Sequence, residues 1–464
     1  MKVFLLAALS AALFSTAEAQ ITVPTQPSSE ACVAQSEMKV IAKSFSQFAQ
    51  YANADYCYDN SQISNLISSI MFMRKTTFAP MTKSADELFS GRFASSWWDY
   101  FIGRIDKLEI VQSCPKGVVA YVYAFGGKTM YACPAALTDQ FSSLDRASVF
   151  MHEARHIDGF PHITCSKGVR QGLQGACDKT MADGGSYAVT VETYAQLGKY
   201  ALDVHPALKA YARASAIIYA DEAFETAARI SRTEKLLVLN SALEFHLMDP
   251  VTNNLQKIGN VKAAGHIVRR SQHMIMIPDD KNLKAQYVFS NNEGDISQTP
   301  SDAISEYNAQ SPAEKANLVD MHIGGQWNAR IYKNLVRFIC DPTSPNVNDI
   351  QMPAGMVPAN LIYPTGYERV KTSVSLMMQN GSIYELSCTN RKASMTASTL
   401  VLDQKYKRIQ KAGNIVYGLT LDGQLFRIEG SKSFLVPTQL NGSITEILPQ
   451  QSFDFYENYI SERH

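Results

Sequence analysis

Residues 152–162 read His-Glu-Ala-Arg-His-Ile-Asp-Gly-Phe-Pro-His, a run dense in groups that can hold a metal ion and move a proton. His152 and His156 are four residues apart, which on a helix places both imidazoles on one face, a turn apart and within reach of one ion. Zinc takes imidazole nitrogens at about 2.0–2.1 Å, and in catalytic sites it leaves one position open for water. Glu153 is placed to reach that water rather than the metal, so its expected role is general base in metal-assisted hydrolysis. Gly159 can take the left-handed conformation that ends a helix, and Pro161 prevents its continuation. His162 then follows a sharp turn that can swing it back as a third ligand to a single Zn2+. The other six histidines, His205, His246, His266, His273, His322 and His464, show no ligand spacing with one another and read as structural or surface residues.

A helix must carry the first two histidines, and the residues before them supply one: Leu144, Ala147, Val149, Phe150 and Met151 are apolar at helical intervals, with Asp145 near the start. Helical patterning also covers 35–53, 60–75, 84–104 (Ser84 as N-cap), 186–203 and 205–231. Between these, 108–133 alternates apolar stretches around Gly126-Gly127 and reads as a β-hairpin or small meander. After about residue 234 the helical period fades and short strand-like runs recur at 236–239, 273–277, 285–289 and 329–332. Asn380-Gly381 and Asp422-Gly423 each precede an apolar-aromatic run, 42 residues apart, and Asn441-Gly442 begins a partial third copy. That spacing fits a propeller of about five blades, with an irregular β-sandwich as the alternative.

The string at 152–162 matches HExxHxxGxxH, so the chain resembles the metzincin metallopeptidases over those eleven residues. The resemblance implies a twisted sheet, an active-site helix and a methionine-containing turn beneath the metal. It makes His152, His156 and His162 the ligands, Glu153 the base, and Met181 the nearest candidate for the methionine turn. A second class of zinc peptidases, the gluzincins, takes its third ligand from a glutamate on a downstream helix; Glu192 would fill that role, leaving His162 a bystander. Tyr187 and Tyr194, on the same helix, are candidates to donate to a tetrahedral oxyanion. Asp158 is a candidate to orient a ligand histidine through its other ring nitrogen. The expected fold class is α+β. A mainly helical zincin-like domain with a small sheet would span 20–233, and an all-β, propeller-like domain would span 234–464.

Residues 1–19 read as a secretory signal: Lys2, an apolar run from Val3 to Phe14, then Ala17-Glu18-Ala19 with cleavage expected before Gln20. A secreted or periplasmic location follows, and no later run is apolar enough for a membrane span. Eight cysteines in an exported chain favour disulfides. Pairing in sequence order gives Cys32–Cys57, Cys114–Cys133, Cys165–Cys177 and Cys340–Cys388. Closing so short a loop as 165–177 contributes about 2–3 kcal/mol on the entropic account. Lys plus Arg balances Asp plus Glu at 43 each, which leaves no electrostatic footprint for nucleic acid. The function expected is a secreted zinc metalloendopeptidase acting on protein or peptide, its C-terminal domain binding a surface or glycan ligand. The alternatives are a binding protein with a structural zinc site and a zinc amidase acting on cell-wall material.

Overall fold

The computed structural model describes residues 32–59, 61–79, 96–115, 118–123, 127–138, 141–166, 170, 172, 174–204, 206–226, 231–270, 273–280, 284–290, 296–300, 307, 310–323, 328–339, 348–363, 373–389 and 392–454. They fall into two compact units that meet in sequence at residues 231 and 232.

In the first unit, β1 (Cys32–Val33) pairs with β2 (Tyr56–Cys57) and the Cys32–Cys57 disulfide joins them. Between them runs α1 (Gln35–Ser44), which buries Met38 and Ile41. The next helix, α2 (Gln62–Lys75), starts where the Ser61 hydroxyl accepts the Ser64 N–H, and it buries Leu66, Ile67, Ile70 and Met73. Of the helix expected over 84–104, the part up to residue 95 lies outside the described residues; α3 (Trp97–Ile102) is the rest, capped by Ser96. Trp97, Trp98, Tyr100 and Phe101 are all buried there, and the Trp97 indole N–H donates to Gln196 Oε1 at 2.6 Å.

Three strands follow: β3 (Lys107–Ile110), β4 (Ala120–Val122) and β5 (Thr129–Ala132). β4 and β5 pair antiparallel across the Gly126-Gly127 segment, as a hairpin there would, but β3 joins in parallel, so the three are not a meander. β5 is central, antiparallel to β4 and parallel to β3, with Cys114–Cys133 tying the connection. The helix carrying the histidines is α4 (Ser143–His156), started by the Ser142 hydroxyl accepting from Asp145 N–H at 3.0 Å. Behind it, α5 (Ser186–Tyr200) exposes only Lys199, the burial of a helix enclosed on every side. α6 (Pro206–Glu222) packs close to α5 at Gly198, where a Cβ would stand 2.6 Å from Arg213 Cγ.

The second unit is built from strands. β6 (Ser231–Asn240), β7 (Glu244–Met248) and β8 (Leu255–Asn260) form a sheet completed by β25 (Ile444–Asp454) in the order β25-β6-β7-β8. Four antiparallel strands follow, β9 (Gly265–Arg270), β10 (His273–Pro278), β11 (Gln286–Ser290) and β12 (Ile296–Pro300). Then come β13 (Leu318–Ile323), β14 (Asn328–Tyr332), β15 (Leu335–Ile339) and β16 (Asn348–Gln351). A short parallel pairing of β9 with β13 fuses the two sets into one eight-stranded sheet. Two four-stranded sheets remain: β17 (Pro358–Ile362), β18 (Ser373–Met378), β19 (Ile383–Thr389) and β20 (Lys392–Ala397), then β21 (Arg408–Ala412), β22 (Ile415–Leu419), β23 (Leu425–Glu429) and β24 (Lys432–Leu435). Asn380-Gly381 and Asp422-Gly423 sit at the same place in these two sheets, between the second and third strands, each glycine with φ near +80° (88° and 77°). Asn441-Gly442 is not a third copy. Asn441 Oδ1 instead accepts from Leu425 N–H on the neighbouring sheet.

This architecture corrects the expected fold class. Strand exceeds helix over the chain, 36% to 27%, so a mainly helical description fails. The strands form several small sheets and one of eight, rather than a closed barrel or a propeller. The physical reason is that strands mostly of four to seven residues leave little periodicity to count, and the β9–β13 junction joins segments about fifty residues apart that no local spacing announces. Of the fourth expected disulfide, Cys340 lies outside the described residues, while Cys388 falls on β19.

Four charged side chains from four strands meet inside this unit: His266 on β9, Asp320 on β13, Arg408 on β21 and Glu446 on β25. His266 lies 3.3 Å from Asp320 and 3.0 Å from Glu446, while Arg408 lies 3.7 Å from Asp320 and 3.2 Å from Glu446. Burial and the Arg408 guanidinium pull the His266 pKa down, but Glu446 and Asp320 outweigh them and the net shift is upward from 6.5. A protonated His266 balances two carboxylates against two cations. Because the folded-state pKa is raised, the stabilisation is full below about pH 6.5 and is lost as pH rises through the folded value. Urea midpoints are therefore expected to fall between about pH 6 and about pH 9, and His266→Gln to flatten that slope. Equal slopes in the two proteins would count against it.

Candidate metal centre

α4 delivers His152 and His156 to one face, with ring centroids 5.1 Å apart. Its last turn runs into Gly159 at φ 87°, and the chain reverses through Phe160 and Pro161. His162 comes to 4.9 Å from the His152 ring and 4.5 Å from the His156 ring, centroid to centroid. One nitrogen from each of the three lies within 4.8 Å of the others, and this is the group of donors among the described residues that could hold a metal ion.

The partners of the opposite ring nitrogens settle which nitrogens carry protons. His162 Nδ1 lies 2.8 Å from Asp178 Oδ1, a carboxylate oxygen that only accepts. His156 Nδ1 lies 2.6 Å from the Phe160 carbonyl, also an acceptor, with the Ser186 hydroxyl 3.1 Å away. His152 Nδ1 lies 2.9 Å from Thr190 Oγ1, whose own proton goes to the Ser186 carbonyl at 3.2 Å. All three Nδ1 atoms therefore donate, and in neutral imidazoles this leaves the three Nε2 atoms with bare lone pairs. Two of them, on His152 and His162, are 2.9 Å apart, and His156 Nε2 is buried without a hydrogen-bond partner. Lone pairs facing each other at that distance repel, whereas a cation among them makes each a ligand. Burial, then the neighbouring His162, lowers the His156 pKa to about 3, and burial likewise holds His152 well below its usual value. Neutral imidazoles are the form that binds metal. The residues present fit a zinc ion.

Glu153 is fully buried beside these ligands. Tyr187 lies against the cluster, its ring 4.9 Å from His152 and 4.6 Å from His162. Burial pushes its phenol up to about 12, opposed by Arg170 and assisted by Asp178 and Glu153. It therefore keeps its proton at neutral pH and can donate it in a hydrogen bond.

Other residues singled out from the sequence lie elsewhere. Tyr194 donates its hydroxyl to Asp145 Oδ1 at 2.7 Å, so it serves the start of α4 rather than an oxyanion. Glu192 is buried on α5 but is not among the clustered donors. Asp158 pairs with Arg155 at 2.6 Å and Arg104 at 2.8 Å instead of with a histidine. Met181 is buried in a turn closed by Gly184 N–H on its carbonyl, and Arg155 Nε holds the Gly184 carbonyl at 2.8 Å.

Sequence reasoning missed Asp178, Ser186 and Thr190. Ser186 and Thr190 are four apart and so share a face of α5, a signal that was there to find. Asp178 gave none, because it is brought to His162 by the pairing of Ile163 with Cys177, which no local spacing announces.

No family model matches this chain, and no curated protein matches it either. Among solved structures, a protein of unknown function from Bacteroides caccae aligns at 10% identity over 47% of this chain and 99% of its own, TM-score 0.29. Apo AztD from Citrobacter koseri aligns at 10% identity over 47% of this chain and 61% of its own, TM-score 0.22. The N-terminal domain of Nup159 aligns at 7% identity over 47% of this chain and 73% of its own, TM-score 0.22. Likenesses this shallow say nothing about chemistry.

Proposed function

We propose that this chain is an exported, zinc-dependent metalloendopeptidase of metzincin-like chemistry. One observation carries the reading: three histidines, two of them buried, bring one ring nitrogen each within 4.8 Å of the others, and a buried glutamate directly follows the first of them. His152, His156 and His162 would hold the ion, with Thr190, the Phe160 carbonyl and Asp178 fixing their rings. When bound, the metal would polarise the scissile carbonyl and acidify a water molecule. Glu153 would take the proton from that water and return it to the leaving amine. Tyr187 would donate to the oxyanion through its retained proton.

Three disulfides among the described residues suit an oxidising compartment, in keeping with the N-terminal signal. Among those residues no helix is long and apolar enough to cross a membrane. The second unit would bind a surface or glycan ligand.

Purified protein is expected to carry one zinc per chain and to cleave an unfolded protein substrate. A chelator should abolish both metal content and cleavage, and added zinc should restore them. Retained zinc with no cleavage of peptides or of cell-wall fragments would favour a binding role. Cleavage of cell-wall amides alone would move the substrate class to an amidase.

A further inference from the structure

His152 and His156 are fixed by a helix, but His162 sits on the chain beyond it and needs another anchor. The backbone supplies one through an isolated antiparallel bridge: Ile163 N–H donates to the Cys177 carbonyl at 2.7 Å and Cys177 N–H to the Ile163 carbonyl at 3.3 Å. The residues flanking that bridge, His162 and Asp178, therefore stand opposite each other, and Asp178 Oδ1 meets His162 Nδ1. The Cys165–Cys177 disulfide, spanning 12 positions and buried at both ends, locks the same pair of segments.

Asp178 is itself held from several sides. Its second carboxylate oxygen accepts from Tyr187 N–H at 2.8 Å. Its backbone donates to the Ala223 carbonyl at 2.9 Å and accepts from Glu225 N–H at 2.8 Å. Gly185 leaves just enough room, since a Cβ there would stand 2.4 Å from Asp178 Oδ2. The three rings are also graded by partner: a carboxylate on His162, a hydroxyl on His152 and a carbonyl on His156. A carboxylate raises the basicity of a ligating imidazole the most.

We infer that Asp178 is a positioning residue for the third donor, and that the Cys165–Cys177 bond holds it in register, so that together they set the affinity of the site for metal. This rests on the metal reading above. It goes further by naming the groups that decide how tightly the ion is held.

The test uses the full chain, stripped of metal and titrated with zinc against a chromophoric chelator, then with Co2+ while its visible absorption is followed. Wild-type protein should bind both. Asp178→Asn, Gly185→Ala and a Cys165→Ser/Cys177→Ser double variant should each bind zinc about 10–100-fold more weakly, with an altered cobalt spectrum. Gly185→Ala presses first on the Asp178 carboxylate and so carries the test if the double cysteine variant fails to fold. Wild-type affinity and an unchanged cobalt spectrum in folded Gly185→Ala and Asp178→Asn would overturn the inference while leaving the metal site intact. Failure of wild-type protein to bind either metal would overturn the metal reading and this inference with it.

Discussion

Replacing Glu153 with glutamine is expected to lower cleavage of a peptide substrate by about 10²–10⁴-fold while leaving zinc content unchanged. The substitution keeps the size and shape of a fully buried side chain, so little else should move. What it removes is the ability to accept a proton. The convergent donors are all histidine nitrogens, so the ion should stay. Rate and metal content measured on the same preparation separate the two effects. Undiminished cleavage by the glutamine variant would refute the role given to Glu153. Loss of zinc would instead show that its carboxylate helps hold the ion.

The second large effect concerns stability. Asp320→Asn is expected to destabilise the second unit by about 3–5 kcal/mol, the usual consequence of removing one partner from a buried charge pair. Asp320 is fully buried and accepts from the Tyr363 hydroxyl at 2.8 Å and the Leu361 N–H at 2.9 Å. It also faces His266 and Arg408. Although burial raises its pKa, Arg408 and then His266 pull it down further, so the carboxylate is held ionised. An amide in its place leaves Arg408 buried with Glu446 as its remaining carboxylate, and it turns an N–H group toward donors. Urea unfolding monitored by circular dichroism measures the loss. A shift under about 1 kcal/mol would mean that water or movement relieves the stranded charge.

The balance between what could be read early and what could not follows the range of each interaction. The histidine string was legible because ligand spacing on a helix is a local property: residues four apart share a face whatever the remainder of the chain does. Gly159, with its positive φ, and Pro161 marked the turn that brings His162 back for the same reason. Helix starts are equally local, yet the caps are Ser61, Ser96 and Ser142, each a hydroxyl accepting from a backbone N–H three residues on, where the sequence pattern points to Ser84 and Asp145. Over the second half, short strands blurred the period, and the order of strands in the sheets could not be read from their spacing.

By itself, then, the sequence determined the three histidines, the glutamate beside the first of them and the helix that aligns two of them, since those depend on neighbours within a turn or two. Only the tertiary structure decided which groups hold the rings: Asp178, 16 residues from His162, and Thr190, 38 from His152. It alone brought His266 to Glu446 across 180 residues, and joined two sets of four strands through β9 and β13. Such pairings are chosen by the burial of whole elements, and a buried charge finds its partner only after the chain has closed around it.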